Sequence, residues 1–283
     1  VVNQSAALSA PNSDSPVRIR EAEAFIFDMD GVLYRGQQPL PGVVEIFDAL
    51  EARGIPYLLA TNNSAASPAD YVKRMAGHGV TVSEDLIQTS ATATRDFLQA
   101  ELPAGSRLLV VGAPALGTQL SDGTGFVITD DPDDDVAAVV AGIDQRFNYD
   151  TLTRASAAIR RGARFIATNT DATLPVEGGF LPGAGSVVAA IATAGGAAPT
   201  VVGKPETIMM TDGVMRLGTS LRGTIMIGDR LDTDILAAHR AGLTTAMVLT
   251  GVSTRDDLAT SEVLPDYVFT DLPALLRELV GDD

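Results

Sequence analysis

Short apolar runs recur along this chain of 283 residues, each closing on a polar residue or glycine and each followed by apolar positions at helical spacing. That pattern predicts strands alternating with helices in an α/β fold. AFIFD at 24–28 and PYLLATN at 56–62 read as strands. Between them, PGVVEIFDALEARG carries Val43, Ile46, Phe47 and Leu50 on one helical face, with Pro41 near its start and Gly54 at its end. Proline suits a first helical turn and glycine a helix exit. Near the end of the chain TVVGK, TIMIGD and TAMVLT are predicted strands and TDILAAHRAG a predicted helix. The middle has its own strand candidates in SRLLVVG, DVAAVVAGI and RFIATN. It therefore reads as a second α/β domain inserted into the first, over 91–187, with edges set to about ten residues. The first domain is then 17–90 together with 188–283, behind a tail over 1–16.

Composition narrows the function. Apolar residues make up 46% and charged residues 20%, as in soluble globular proteins. The formal charge of -16 would repel nucleic acid and anionic membranes. An anionic substrate must then be held by local charges or a metal. Cysteine is absent, which excludes disulfides, thiolate nucleophiles and cysteine metal sites and agrees with a reducing, cytoplasmic setting. The opening VVNQSAALSAPNSDSP has neither the basic start nor the apolar stretch of a signal peptide and reads as a flexible tail. Residues 178–203 carry no charge, yet their glycines, prolines and short apolar runs fit a loop, a buried helix and a strand better than a membrane span.

Several motifs fail on inspection. The two histidines, His78 and His239, read as surface residues and cannot build a histidine triad or metal site. GAGSVVA at 183–189 follows FLP rather than a strand, so it is no dinucleotide fingerprint. VVGKP lacks the phosphate-loop residues, because Ala198 and Pro205 stand where glycine and Ser or Thr are needed. DDPDDD at 130–135 lacks the alternating ligands of a calcium loop and reads as a solvated loop.

FIFDMDGV differs in kind. A buried strand ends in Asp28, with Asp30 two residues on and Gly31 behind it, at the end where open α/β sheets bind ligands. Extended backbone would put both carboxylates on one side. Two such groups need a cation, and hard oxygen ligands suit Mg²⁺. Strand ends also attract Asp and Gly as turn residues, so this segment alone does not decide. Three further strand ends add to it: Thr61 and Asn62 in LLATNN, Lys204 in VVGKP, and Asp229 in IMIGDRLDTDI, with Asp232 and Asp234 close behind. A hydroxyl with backbone amides, a compact cation and more carboxylates suit a phosphate and metal site.

Taken in order, Asp28-Met-Asp30-Gly-Val, Thr61-Asn62-Asn63, Gly203-Lys204-Pro and Gly228-Asp229-Arg-Leu-Asp-Thr-Asp234 resemble the four motifs of the haloacid dehalogenase superfamily. The resemblance is to the branch of 4-nitrophenyl phosphatases, NagD-like phosphatases, phosphoglycolate phosphatase and pyridoxal phosphatase. It implies a Rossmann-like parallel core with an inserted α/β cap of the C2 type. It further implies that Asp28 is the nucleophile, that Asp30 is general acid and base, and that Thr61 and Lys204 hold phosphoryl oxygens, with Asn62 and Asn63 on the substrate side. Mg²⁺ would bind the side chains of Asp28 and Asp229 and the carbonyl of Asp30, with Asp234 supporting it. Asp232 has no role in the pattern. By the same analogy 167–180 is a substrate-facing cap loop offering Asn169 and Asp171, and a homodimer through the cap is allowed. The implied partner is a small phosphorylated metabolite: phosphoglycolate, pyridoxal phosphate, nucleotides and sugar phosphates stay open, with 4-nitrophenyl phosphate as a surrogate. Asp30 argues against a dehalogenase. A phosphomutase, an isomerase of sugar phosphates and a non-catalytic phosphate-binding protein are the alternatives.

Overall fold

The computed structural model describes residues 15–176 and 179–281, and most of the tail expected over 1–16 lies outside them. The alternating pattern becomes two parallel sheets. In spatial order the first is β15 (Tyr267–Phe269), β14 (Thr244–Val248), β13 (Thr224–Gly228), β1 (Ala24–Asp28), β4 (Tyr57–Thr61) and β5 (Ile87–Thr89). The second is β12 (Thr200–Val201), β9 (Arg164–Ala167), β8 (Val136–Ala141), β6 (Arg107–Val111) and β7 (Val127–Thr129). Two hairpins complete the strands, β2 (Tyr34–Arg35) with β3 (Gln38–Pro39) and β10 (Thr173–Val176) with β11 (Gly179–Pro182). The helices are α1 (Val43–Arg53), α2 (Pro68–Gly77), α3 (Ser90–Glu101), α4 (Pro114–Ser121), α5 (Tyr149–Arg160), α6 (Ala184–Gly195), α7 (Ile208–Leu217), α8 (Leu236–Ala241), α9 (Arg255–Leu258) and α10 (Leu272–Val280).

Strands covered on both faces read as unbroken apolar runs, and β1, β13 and β14 are buried throughout. Phe25, Phe27, Ile225 and Ile227 pack with Ile46, Phe47 and Leu50 of α1 and Leu275 and Leu279 of α10. On the opposite face Ile26, Leu58 and Met226 join Met209, Met210 and Val214 of α7, in a cluster that continues to Leu98 of α3 and to Leu108 and Val140 of the second sheet. The second sheet buries its other face, Leu109, Val139 and Phe165, under Ala158 and Ile159 of α5 and Val187 and Ile191 of α6.

The chain enters the first sheet at β1, adds β4 and β5 on one side, and returns through β13, β14 and β15 on the other. The strand order therefore reverses between β1 and β13, where such sheets bind ligands beyond their carboxyl ends.

Helix α6 is continuous from Ala184 to Gly195 and packs under the second sheet, so an edge within about ten residues of 187 that keeps it whole lies at one of its ends. The structure corrects three expectations. TVVGK is no strand of the first sheet, since Thr200 and Val201 pair with Ile166 and Ala167 of β9. The loop expected over 167–180 gives way at Thr173 to the β10–β11 hairpin, with Phe180 72% exposed. His78 is only partly exposed, because the β2 strand folds back over α2 and sets the Tyr34 ring 5.6 Å from the imidazole. His239 is exposed, and the 130–135 loop is solvated, with Asp130, Asp133 and Asp134 paired to Arg154, Arg161 and Arg107. Among the described residues no helix is long and apolar enough to cross a membrane.

Candidate active site

Asp28 ends β1 and sits beside Ala60 of β4, which brings Thr61 alongside it. Asp229 follows β13 directly. Gly31 turns the chain with φ of 86°, and a Cβ there would lie 2.5 Å from Asp229 Oδ2. Only glycine combines that left-handed turn with that approach. Asp234 stands on a π turn, Leu231–Ile235, that folds back on the strand end, and its Oδ2 accepts hydrogen bonds from the amides of Arg230 (3.1 Å) and Asp229 (3.3 Å).

Lys204 is 2% exposed, a rare state for lysine. Its Nζ lies 2.5 Å from Asp28 Oδ1 and 2.6 Å from Asp234 Oδ1. Burial works against the ammonium, but Asp234 and Asp28 outweigh it and hold Lys204 above its ordinary value. Burial, reinforced by Asp234 and Asp229, pushes the Asp28 carboxyl up against the pull of Lys204. Burial and Asp234 likewise raise Asp229 to about 7, opposed by the Val252 amide and Lys204. Three carboxylates thus share one ammonium.

That imbalance is what a cation would correct. Asp28, Asp229 and Asp234 each offer an oxygen within 4.8 Å of the others. Asp229 Oδ2 accepts from the Val252 amide at 2.7 Å, while its Oδ1 is buried with no partner. An orphaned carboxylate oxygen beside two more carboxylates fits a hard divalent ion. Asp234 Oδ2 accepts from two amides and its Oδ1, though without a well-formed hydrogen bond, is ion-paired with Lys204 at 2.6 Å, which suits a bracing position.

Asp30 is exposed beyond the strand. The protein around it raises its carboxyl above the usual range, an effect that Arg74 and Arg35 oppose. Thr61 Oγ1 accepts from the Asn63 amide at 3.2 Å, and Asn63 Oδ1 accepts from the Ala65 amide. Asn62, Asn63, Asn169 and Asp171 meet where the two sheets adjoin, around a cavity of about 40 Å³ that Ile143 and Leu174 also line. There the Asn62 side chain faces Lys204 and Asp171.

Three features were missed in the sequence. Asp232 holds Arg230 through paired bonds of 3.0 and 2.9 Å, and the Arg230 charge acts on Asp171; the one signal was a lone arginine amid acids. Arg74 lies over the rings of Tyr34 and Tyr71 at 5.0 and 5.7 Å. Ser90 Oγ donates to the Asn62 carbonyl at 2.6 Å. Neither of the last two has a local sequence signature.

Comparison with known proteins gives this geometry its relatives. Residues 25–126 match the family model of haloacid dehalogenase-like hydrolases, and 201–275 match a second model of HAD-hydrolase-like proteins. An acid sugar phosphatase of Staphylococcus epidermidis is 36% identical over 92% of this chain and 99% of its own length. The fold is similar to that of 4-nitrophenylphosphatase from Thermotoga maritima, with a TM-score of 0.86 and 32% identity over 92% of this chain and 98% of that one. NagD of E. coli gives a TM-score of 0.82 and 35% identity over 89% and 97%. With the switch-point carboxylates, the buried lysine and these relatives together, the chain belongs to the haloacid dehalogenase-like hydrolases, on the NagD-like branch of that family.

Proposed function

We propose that this enzyme is a Mg²⁺-dependent phosphatase of small phosphate monoesters, working through a phosphoryl group carried on Asp28. The observation that supports this most is the Asp28 carboxylate held by a buried lysine beside the unpartnered Asp229 oxygen. Asp28 and Asp229, with the carbonyl of Asp30, would hold the ion, and Asp234 would brace the site. Once bound, Mg²⁺ supplies positive charge against the phosphoryl oxygens and the nucleophile. A glycerol phosphate phosphatase of Mycobacterium tuberculosis, similar in fold with a TM-score of 0.83 and 36% identity over 92% of this chain and 78% of that one, has been solved in complex with magnesium.

In this reading Lys204 and Thr61 hold the phosphoryl oxygens while Asp28 attacks phosphorus in line. The P–O bond to the leaving group breaks, and Asp30 gives that oxygen its proton. Asp30, now a carboxylate, takes a proton from water as the water attacks the acyl phosphate, releasing phosphate and restoring Asp28. The segment between α3 and Val202 acts as a cap, and Asn169 and Asp171 form its substrate side. A compact cavity with apolar Ile143 and Leu174 favours small esters.

The test is phosphate release from a panel of sugar phosphates, glycerol phosphate, phosphoglycolate, pyridoxal phosphate and 4-nitrophenyl phosphate, with and without Mg²⁺. Turnover confined to the Mg²⁺ arm is expected; none in either arm would sink the reading. Asp30→Asn separates the two proton roles. With 4-nitrophenyl phosphate, whose leaving group needs little acid help, a burst approaching one nitrophenolate per site should precede a slow steady rate. Equal losses on all substrates without a burst would remove Asp30 from the proton path.

A further inference from the structure

Asn62 sits at the junction of the two sheets with every polar atom of its side chain engaged. Its Oδ1 accepts the Lys204 backbone N–H at 2.9 Å, and its Nδ2 donates to the Lys204 carbonyl at 2.8 Å. One carboxamide thus grips both polar groups of the lysine's backbone. Nδ2 has a second proton, and it points to the Asp171 carboxylate, 3.2 Å from each oxygen. This orientation has no competitor. A flipped amide would set NH₂ against the Lys204 N–H and oxygen against both the Lys204 carbonyl and Asp171.

The backbone of Asn62 is tied to the same place. Its carbonyl accepts from Asn169 Nδ2 at 2.7 Å and from Ser90 Oγ at 2.6 Å, and Asn169 Oδ1 in turn accepts from the Asp171 amide at 3.1 Å. The approach to Lys204 is equally tight. Gly203 donates to the Thr168 carbonyl at 2.9 Å, and a Cβ on it would fall 2.4 Å from that oxygen and 2.7 Å from Asn62 Oδ1. The lysine whose ammonium meets Asp28 therefore has its backbone held by Asn62 and by the end of the second sheet.

We infer that Asn62 is a positioning residue that couples Asp171 to Lys204, so that what happens to Asp171 in the cap is felt at the ammonium beside Asp28. This rests on the phosphatase reading for its kinetic consequence. Loss of the Asp171 partner leaves one Nδ2 proton without an acceptor and removes the tether that holds the carboxamide against the cap side, so it can shift and tilt without flipping. The two-point grip on the Lys204 backbone then loosens, and a small displacement of Nζ is costly to an in-line reaction.

The chain has two lysines, Lys73 and Lys204, which makes the link directly visible. In protein labelled with ¹⁵N-lysine, Asp171→Ala should move the Lys204 backbone amide proton upfield as its hydrogen bond lengthens, while Lys73, on α2, stays in place. Kinetically, Asp171→Ala should lower kcat about tenfold, in the range found for residues that orient an active-site group, by the same factor on 4-nitrophenyl phosphate and a sugar phosphate. Asp171→Asn, turned to keep an acceptor oxygen toward Nδ2, should recover most of it. In an Asn62→Ala background Asp171→Ala should cost less than about twofold, since the path is already cut. An unmoved Lys204 amide, a full tenfold loss retained in that background, or a loss confined to the sugar phosphate would each overturn the coupling. If Asn62→Ala does not fold, the spectrum and the two-substrate comparison of Asp171→Ala still decide. A wild-type enzyme that releases no phosphate would defeat the phosphatase reading, while the spectrum would still test the link.

Discussion

Two parallel sheets in one chain, each with helices packed against it, end very differently. In the first, β1, β4 and β13 run out into Asp28, Thr61 and Asp229. In the second, β6 and β8 run out through Val111 and Ala141 into Gly112 and Gly142, and β9 into Thr168 and Asn169. The architecture offers a ligand edge both times, but ionisable groups gather at one of them. A parallel sheet supplies a place, and side chains at the strand ends supply chemistry. The second sheet contributes bracing, through the bonds of Asn169 and Asp171 to Asn62, and on the proposed reading it would contribute recognition as well.

That division can be broken by experiment. Asp28→Asn should leave the fold intact, as judged by circular dichroism, and reduce phosphate release by at least about 10⁴-fold, because an amide cannot accept the phosphoryl group. Near-normal turnover would move the chemistry away from the first sheet. Chelation should likewise stop turnover, and Mg²⁺ should restore it. The accompanying rise in Tm should be larger at pH 8 than at pH 6. Asp229, at about 7 in the metal-free fold against an ordinary 3.8, still carries a proton at pH 6 that the ion must displace. At pH 8 it is ionised, and its contribution to stability as a protonated group has been lost.

Lys204→Met should cost about 10²- to 10³-fold in kcat and lower the Tm of the metal-free protein, since Asp28 and Asp234 lose their buried counter-charge. A normal Tm would mean that those carboxylates are neutral without it. The smallest effect belongs to the cap side. Ile143→Ala and Leu174→Ala, at the cavity wall, should shift KM of a preferred ester by about tenfold with kcat on 4-nitrophenyl phosphate nearly unchanged. A kcat collapse there would erase the distinction between the sheets.

Much of this arrangement was legible because burial on two faces writes long apolar runs. AFIFD and TIMIG announce adjacent central strands, and the polar residues that end them stand out against the apolar run. Partner choice is not written that way. Thr200–Val201 has the same apolar character as the first-sheet strands, and only the folded chain assigns it to β9. The same ambiguity hid the allegiance of α6, whose Val187, Val188 and Ile191 would cover either sheet. β5, β7 and β15 have three residues each, too few to show a period. The grip of Asn62 on Lys204 spans 142 positions, and a side chain that pairs with backbone leaves no mark on the identity of its partner.

Lys204 lodged between Asp28 and Asp234 also has a consequence for the order of arrival at the site. Three carboxyl groups gather around a single ammonium within a protein that is itself strongly acidic, and once Asp229 ionises, above about 7, the balance there tilts toward negative charge. A phosphate dianion would meet repulsion on the way in and again at Asp28, whereas a divalent cation would be drawn to the same place. On the phosphatase reading proposed above, the ion would bind first and the ester would follow it. Before loading, the protein would then not act as a sink for phosphorylated metabolites, and its working rate would follow the supply of free cation as closely as the supply of substrate.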